Sequence, residues 1–374
     1  MGSSIRIGRI AGIQIGVHPS WFVIFFVITY LYAAGTLPQT YPEWQPALYW
    51  VVGASISLLF FASVLVHELS HALVARSFGL RVRDITLFIF GGAASLEDEA
   101  KRPRDEAVMA AAGPLASLVL GAVLWGVSVA VPQAQVSAVA GWLGFINVWL
   151  GLFNLIPGFP MDGGRILRAI LWKVRGDRYA ATRNAATVGR AFGYLLIALG
   201  VYLILQLHNP FNGIWLALIG WFLSNAAEAS VAQLSVERSL RGVKVRDVME
   251  ADPPSVGPNE SVADLVNERM MRAGQRSFLV RHEDGGLAGI VTLSDVRRIP
   301  REQWEEARVT DIMTRFADLA TIGPDDRVQP ALKLLQEREV NQLPVVGQNH
   351  HDVLGMLTRA GIVRLIEARM RLGV

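Results

Sequence analysis

The chain contains no cysteine. Disulfides and thiolate metal sites are therefore excluded, and any bound metal must be held by histidine and carboxylate. Charge is scarce as well: Asp, Glu, Lys and Arg make up 18% of the 374 residues, against 52% for hydrophobic types. With a mean hydropathy of +0.36, this balance is too apolar for an ordinary soluble protein and suits a chain partly embedded in a bilayer. The formal net charge is only +3, so nucleic acid is not an expected partner. No cleavable signal is visible: the first apolar run begins near Trp21 and has no small-residue cleavage site behind it. That run is expected to remain as a first span.

Six apolar segments are present, at roughly 21–34, 50–75, 107–131, 139–156, 188–207 and 214–234. Most approach the ~20 residues that cross ~30 Å of hydrocarbon; the first is short. The connections alternate in charge. Residues 36–46, 132–138 and 207–213 hold no Lys or Arg, whereas Arg76, Arg81, Arg83, Lys101, Arg102 and Arg104 follow the second span. Arg165, Arg168, Lys173, Arg175, Arg178, Arg183 and Arg190 follow the fourth. Positive-inside bias then places both termini and these two connections in the cytoplasm, in a multi-pass protein of the cell membrane. Tyr30, Tyr32, Tyr41, Trp44, Tyr49 and Trp50 gather around the first outer loop, as an aromatic belt does.

Within the second span stands His67-Glu68-Leu69-Ser70-His71, after sixteen uncharged residues at 51–66. Two histidines at i and i+4 share one helical face and can reach a single Zn²⁺, with the glutamate beside it as general base. Ionisable groups inside a span are expensive and mark a functional site in a polar cavity. His67 lies nine residues before Arg76, which puts it about a dozen Å from the cytoplasmic boundary at ~1.5 Å per residue. The fourth span ends in Asn154-Leu155-Ile156-Pro157-Gly158-Phe159-Pro160-Met161-Asp162-Gly163-Gly164-Arg165, a non-helical break at membrane depth. Asp162 is its one acidic residue. Given the paired histidines, it is the expected third ligand, and two His with one carboxylate leave the fourth position open to water.

Two further stretches admit more than one role. Residues 82–95 have strand character and end in a Gly pair, or else form an amphipathic loop on the membrane surface. Small residues at 111–117 open the third span and favour close helix packing over a direct catalytic part. His18 is expected to anchor an entry hairpin rather than bind metal.

His67-Glu68-x-x-His71 together with Asn154-x-x-Pro157-x-x-Pro160-x-Asp162-Gly163 resembles the site-2 protease family of intramembrane zinc metalloproteases, peptidase M50, over about residues 5–230. The resemblance implies one Zn²⁺ per chain on His67, His71 and Asp162, Glu68 activating water, and Asn154 assisting the substrate carbonyl or oxyanion. It implies that the hairpin region around Phe90-Gly-Gly-Ala-Ala offers an edge strand to an unwound substrate. The expected substrate is a single-span membrane protein, such as an anti-sigma factor or a membrane-tethered transcription factor. No insert between the spans is long enough for a PDZ-like module.

After Leu234 charge rises and long apolar runs stop. Val245-Arg-Asp-Val-Met249 recurs as Val309-Thr-Asp-Ile-Met313, and Gly289-Ile-Val-Thr292 as Gly355-Met-Leu-Thr358. Two copies of a small α/β unit follow from this period. They resemble a tandem CBS pair. That likeness implies adenine nucleotide, such as ATP, with Thr292 and Asp295 as ribose contacts, or else a pair used only for dimerisation or docking. The second copy has Gly361 where the acid would stand. His350-His351-Asp352 reads as a polar turn rather than a metal site.

The expected fold is therefore an α-helical polytopic membrane domain at 1–234, with about six transmembrane helices and a short cytoplasmic-side β-hairpin or sheet. A soluble α/β tandem CBS domain occupies 235–374, with repeats at about 241–303 and 305–374. The function expected is a zinc endopeptidase of the bilayer regulated through its tail, with a homodimer through the CBS pair in view. The alternative is a CBS-regulated transporter or channel, which requires ionisable groups spread over several spans.

Overall fold

The computed structural model describes residues 4–89, 91–96, 100–272, 274–282, 285–347 and 353–372. Phe90 and the His350-His351-Asp352 turn lie outside them. The chain divides into two compact units, Met1–Ala232 and Gln233–Val374.

The first unit opens with β1 (Ile5–Ile10) and β2 (Ile13–Val17), joined by Ala11 and Gly12 at φ 49° and 78°. Two positive-φ residues make the tight turn whose twist suits an antiparallel hairpin. Strands β3 (Val82–Phe88) and β4 (Gly91–Leu96) complete a four-stranded sheet in the order β1-β2-β3-β4, with β2 and β3 parallel. The stretch at 82–95 is thus a hairpin, and β4 is an edge strand among the described residues.

Helix α1 (Ser20–Tyr30) passes through a π-helical stretch, Leu31–Thr36, into α2 (Leu37–Thr40). Together these make a 21-residue segment, longer than the apolar run at 21–34 implied. Pro38 follows directly on the π-helical stretch, and the segment continues past it only to Thr40. Helices α3 (Pro46–Ser77), α4 (Pro103–Ala130) and α5 (Ala134–Asn154) follow. After the break come α6 (Asp162–Arg175), α7 (Arg178–Leu205) and α8 (Pro210–Leu240). Among the described residues, six helical segments are long and apolar enough to cross a membrane; α6 is not one of them. Their outward residues, including Val119, Val129, Phe211 and Trp221, are apolar and exposed. A helix apolar on every side belongs in lipid or in a core.

The sheet sits on α3. Ile13, Ile15 and Ile85 pack on Ala72, while Val17 and Leu87 pack on Phe61 and Val64. Alternation does this: every second residue of β2 and β3 faces the helix. Helices α4 and α5 approach closely at Gly144, where a Cβ would lie 2.9 Å from the Trp125 nitrogen.

Helix α6 lies in a segment that charge alone marks as a connection. Its end signals are ordinary: Lys173 and Arg175 in the last turn, Gly176 at φ 73°, then Asp177 accepting from Tyr179 and Ala180 to start α7. Arg168, counted among the cytoplasmic positive charges, is in fact largely buried.

The second unit contains β5 (Ser255–Val256), α9 (Val262–Asp264, continuing as a π-helix through Leu265–Met271), β6 (Ser277–Arg281), β7 (Leu287–Thr292) and α10 (Leu293–Val296). The second copy supplies α11 (Val309–Ile312), β8 (Thr314–Arg315), α12 (Val328–Glu337), β9 (Gln342–Val346), β10 (Val353–Thr358) and α13 (Arg359–Leu372). The copies exchange their leading segments. Val245 is buried among Val328, Leu335, Leu343 and Leu357 of the second copy, and Val309 among Val262, Phe278 and Val291 of the first. Strand β8 pairs with β7, and Glu250 exchanges both backbone bonds with Met356 at 2.9 Å. Each copy's core is completed by the other.

Candidate metal centre and catalytic site

His67 and His71 lie one turn apart near the end of α3, and Asp162 is the first residue of α6. Asp162 therefore opens a helix rather than sitting inside the break. The structure brings the three together: Asp162 Oδ2 is 3.1 Å from each Nε2, and the two Nε2 atoms are 3.2 Å apart. All three residues are buried. They form a group able to hold a metal ion. At zinc bonds of ~2.0–2.1 Å to nitrogen or oxygen, the corners of a tetrahedron lie ~3.3 Å apart, close to this triangle.

The tautomers support the same conclusion. His71 Nδ1 lies 2.7 Å from the Met109 carbonyl oxygen, which only accepts, so Nδ1 carries the proton and Nε2 presents a lone pair. His67 Nδ1 lies 2.9 Å from Ser117 Oγ, a partner that lets it do likewise. Two imidazole lone pairs and a carboxylate oxygen then face one another, an arrangement that repels itself unless a cation sits among them. The donor set fits Zn²⁺.

Gly113 lies against this triangle. A Cβ there would fall 2.7 Å from His67 Nε2 and closer still to His71. Residues 111–117 are expected to favour close packing over a direct catalytic part; in the structure Gly113 leaves room for the imidazoles, and Ser117 and Met109 of the same helix partner them. Ser117 and Met109 carry no signal in the sequence, because spacing within α4 does not say which helix it faces.

Glu68 is half-buried beside the pair. Edge strand β4 runs past it: a Cβ at Gly92 would lie 3.1 Å from Glu68 Cδ. Asn154 ends α5 and donates to the Leu150 carbonyl at 2.9 Å; among the described residues no hydrogen bond joins it to the three-residue cluster. His18 accepts from the Ser20 amide at 3.2 Å through Nδ1, and its own amide donates to Leu87. It ties the start of α1 to the sheet.

In the second unit, Thr292 and Asp295 turn to each other. Thr292 donates through Oγ1 and its amide to Asp295 Oδ2 at 2.7 and 2.9 Å, forming a capping box that starts α10. In the second copy Thr358 Oγ1 accepts from the Gly361 amide at 3.0 Å, so the hydroxyl cap persists without the acid.

The protein sll0528 of Synechocystis is 35% identical to this chain over 98% of it and 96% of the relative. The model of Peptidase family M50 matches residues 55–133 and 129–199. The chain belongs to peptidase family M50. It is a zinc metalloprotease of the site-2 protease type, carrying a CBS pair for which the CBS domain model matches residues 245–302 and 309–368. The zinc metalloprotease MJ0392 of Methanocaldococcus jannaschii is 30% identical over 84% of each chain. Among solved structures, a site-2 protease from the same organism aligns with 32% identity and a TM-score of 0.43, covering 61% of this chain and 95% of that one. Membership of M50 sets the transporter reading aside.

Proposed function

We propose that this M50 protease hydrolyses a peptide bond of a single-span membrane protein near the cytoplasmic face of the bilayer. His67, His71 and Asp162 are its metal ligands and Glu68 its general base. The observation that carries this is the triangle of donor atoms 3.1–3.2 Å apart. When bound there, Zn²⁺ polarises the scissile carbonyl and makes water acidic enough to deprotonate near neutral pH.

The chain's own residues do the rest. Glu68, one position from His67 and half-buried, accepts the proton of the attacking water and returns it to the leaving amine. A helical substrate exposes no peptide bond, so it must enter extended. Strand β4 stands at the sheet edge among the described residues and passes Glu68 at Gly92, so an extended segment pairing there lies beside the base. Asn154 reaches the oxyanion by giving up its bond to Leu150 when substrate binds; its amide is the donor proposed for that role. Lys and Arg around 76–104 and 165–190 support cytoplasmic termini and a cytoplasmic CBS pair.

The CBS pair is proposed to regulate the protease, through an adenine nucleotide such as ATP at Thr292 and Asp295 or through dimer formation. Since Asp295 already caps α10 with one oxygen, a ribose would take its other oxygen or displace the cap.

Zinc content tests the ligand set. Purified wild type is expected to hold about one zinc per chain, with loss in His67→Ala and in Asp162→Ala. Glu68→Gln is expected to retain zinc yet cleave a reconstituted single-span anti-sigma substrate at least ~10²-fold more slowly. Unaltered cleavage in Glu68→Gln removes it as the base; zinc retained in Asp162→Ala removes the third ligand.

A further inference from the structure

Helix α4 meets both histidines of the metal centre along one face. Glu106, Met109, Gly113 and Ser117 are spaced by three, four and four residues, the interval that stacks side chains on one stripe. Three of the four act directly on the histidines: Met109 through its carbonyl, Ser117 through its hydroxyl, Gly113 by leaving room. The fourth, Glu106, does not reach the histidines. It is wholly buried and makes an ion pair with Arg168 of α6, whose side chain is only 12% exposed.

Arg168 has a second partner. Its guanidinium lies 5.0 Å from the centre of the Phe159 ring, in the break that leads into Asp162. Phe159 is buried, and its amide donates to the Ala185 carbonyl of α7 at 3.2 Å. A single cation thus joins α4, α6 and the loop just before the carboxylate ligand. Burial pulls the Arg168 guanidinium below its ordinary pKa, and Glu106 opposes that. Among the described residues the pairing uses one carboxylate oxygen, and Glu106 Oε2 and Arg168 Nε are buried with no hydrogen-bond partner there. Such a pair is a poor source of stability, since desolvation offsets most of the attraction, and apolar residues of similar volume would serve as well. It does link α6 to the same helix that partners both imidazoles.

We propose that Glu106 and Arg168 are positioning residues that set where Asp162 presents its carboxylate, by fixing α6 against α4. The proposal rests on the ligand set of His67, His71 and Asp162. Among the described residues, neither makes a hydrogen bond to His67, His71 or Asp162. Their effect passes through the start of α6, six residues from Arg168 back to Asp162.

The test is metal affinity of the full chain in detergent, measured with Zn²⁺ by chelator competition and with Co²⁺ by its visible absorption. Single variants such as Glu106→Gln leave a buried charge alone and can fail to fold. The informative variant is therefore the double replacement Glu106→Leu with Arg168→Met, which removes both charges and keeps the volume. Expected is a protein whose melting temperature without metal is near wild type but whose zinc affinity is about 10- to 100-fold weaker, the range for residues that orient ligands. A shifted Co²⁺ spectrum is expected with it. Wild-type affinity and spectrum in the folded double variant would overturn the proposal, leaving the pair a packing element. Asp162→Ala, measured alongside, separates the two ideas: if it too binds metal as wild type does, the ligand set itself is wrong and the positioning role falls with it.

Discussion

His71 Nδ1 donates to the carbonyl oxygen of Met109 at 2.7 Å. Because that acceptor is backbone, no side-chain substitution removes it, and the tautomer of His71 is set by where α4 runs. His67 differs in depending on a side chain, Ser117, at 2.9 Å.

Ser117→Ala tests that difference. It leaves His67 Nδ1 without its partner in a buried site, so the ring loses its preferred tautomer and orientation. Zinc affinity is expected to fall about 10-fold or more, in the range for oriented histidine ligands. Chelator competition measures it. Ser117→Thr, which keeps the hydroxyl, is expected to restore part of the loss.

Gly113→Ala is expected to abolish zinc binding, since its Cβ would occupy the space between the imidazoles. Gly126, on the same helix, differs: among the described residues, no atom apart from its chain neighbours and its own helix backbone lies within 4 Å of where its Cβ would stand. Gly126→Ala is therefore expected to keep full zinc content and to gain up to ~1 kcal/mol of stability from helix propensity. Metal analysis of the two proteins side by side decides whether position 113 is reserved for the site.

In the CBS pair, Gly289 and Gly355 admit the other copy's leading segment. A Cβ would lie 3.1 Å from the Thr314 carbonyl carbon in one case and 3.1 Å from Met249 Sδ in the other. Gly289→Val and Gly355→Val should each cost about 1–3 kcal/mol through overpacking. Because the cores are exchanged, either change is expected to lower the thermal unfolding of the whole pair in one transition. Two separate transitions would show that the copies fold independently.

Asp295→Ala removes half of a capping box, and about 1 kcal/mol of stability should go with it even when no nucleotide is present. A nucleotide titration of this variant must therefore be compared with Ser261→Ala. Ser261 caps α9 by accepting from the Asp264 amide at 3.1 Å, so its loss imposes a similar penalty away from Thr292. If both lose ATP binding equally, Asp295 acts through folding; selective loss in Asp295→Ala assigns it to the ligand.

Much of the centre is legible in the sequence. Spacing in one helix places His67 and His71 on one face, and the absence of cysteine leaves carboxylate as the remaining ligand type. Asp162 is the expected third ligand as the one acid in the stretch from Asn154 to Arg165, and the structure opens α6 on it beside both histidines. The spans follow from run length and the repeat from self-similarity, since both are local or periodic in the chain. Three features are not available in this way. Helix α6 is masked by its charges, which read as a loop although the structure buries Arg168. The exchange of Val245 and Val309 between copies cannot be seen in a repeat, because similar segments pair equally well within or across copies. Ser117, Met109 and Glu106 reach His67, His71 and Arg168 only because α4 packs against α3 and α6. Sequence determined which atoms are chemically able to bind metal, since composition and helical period are properties of the chain itself. Tertiary packing decided which lone pairs face one another, because orientation comes from partners 38 to 95 residues away.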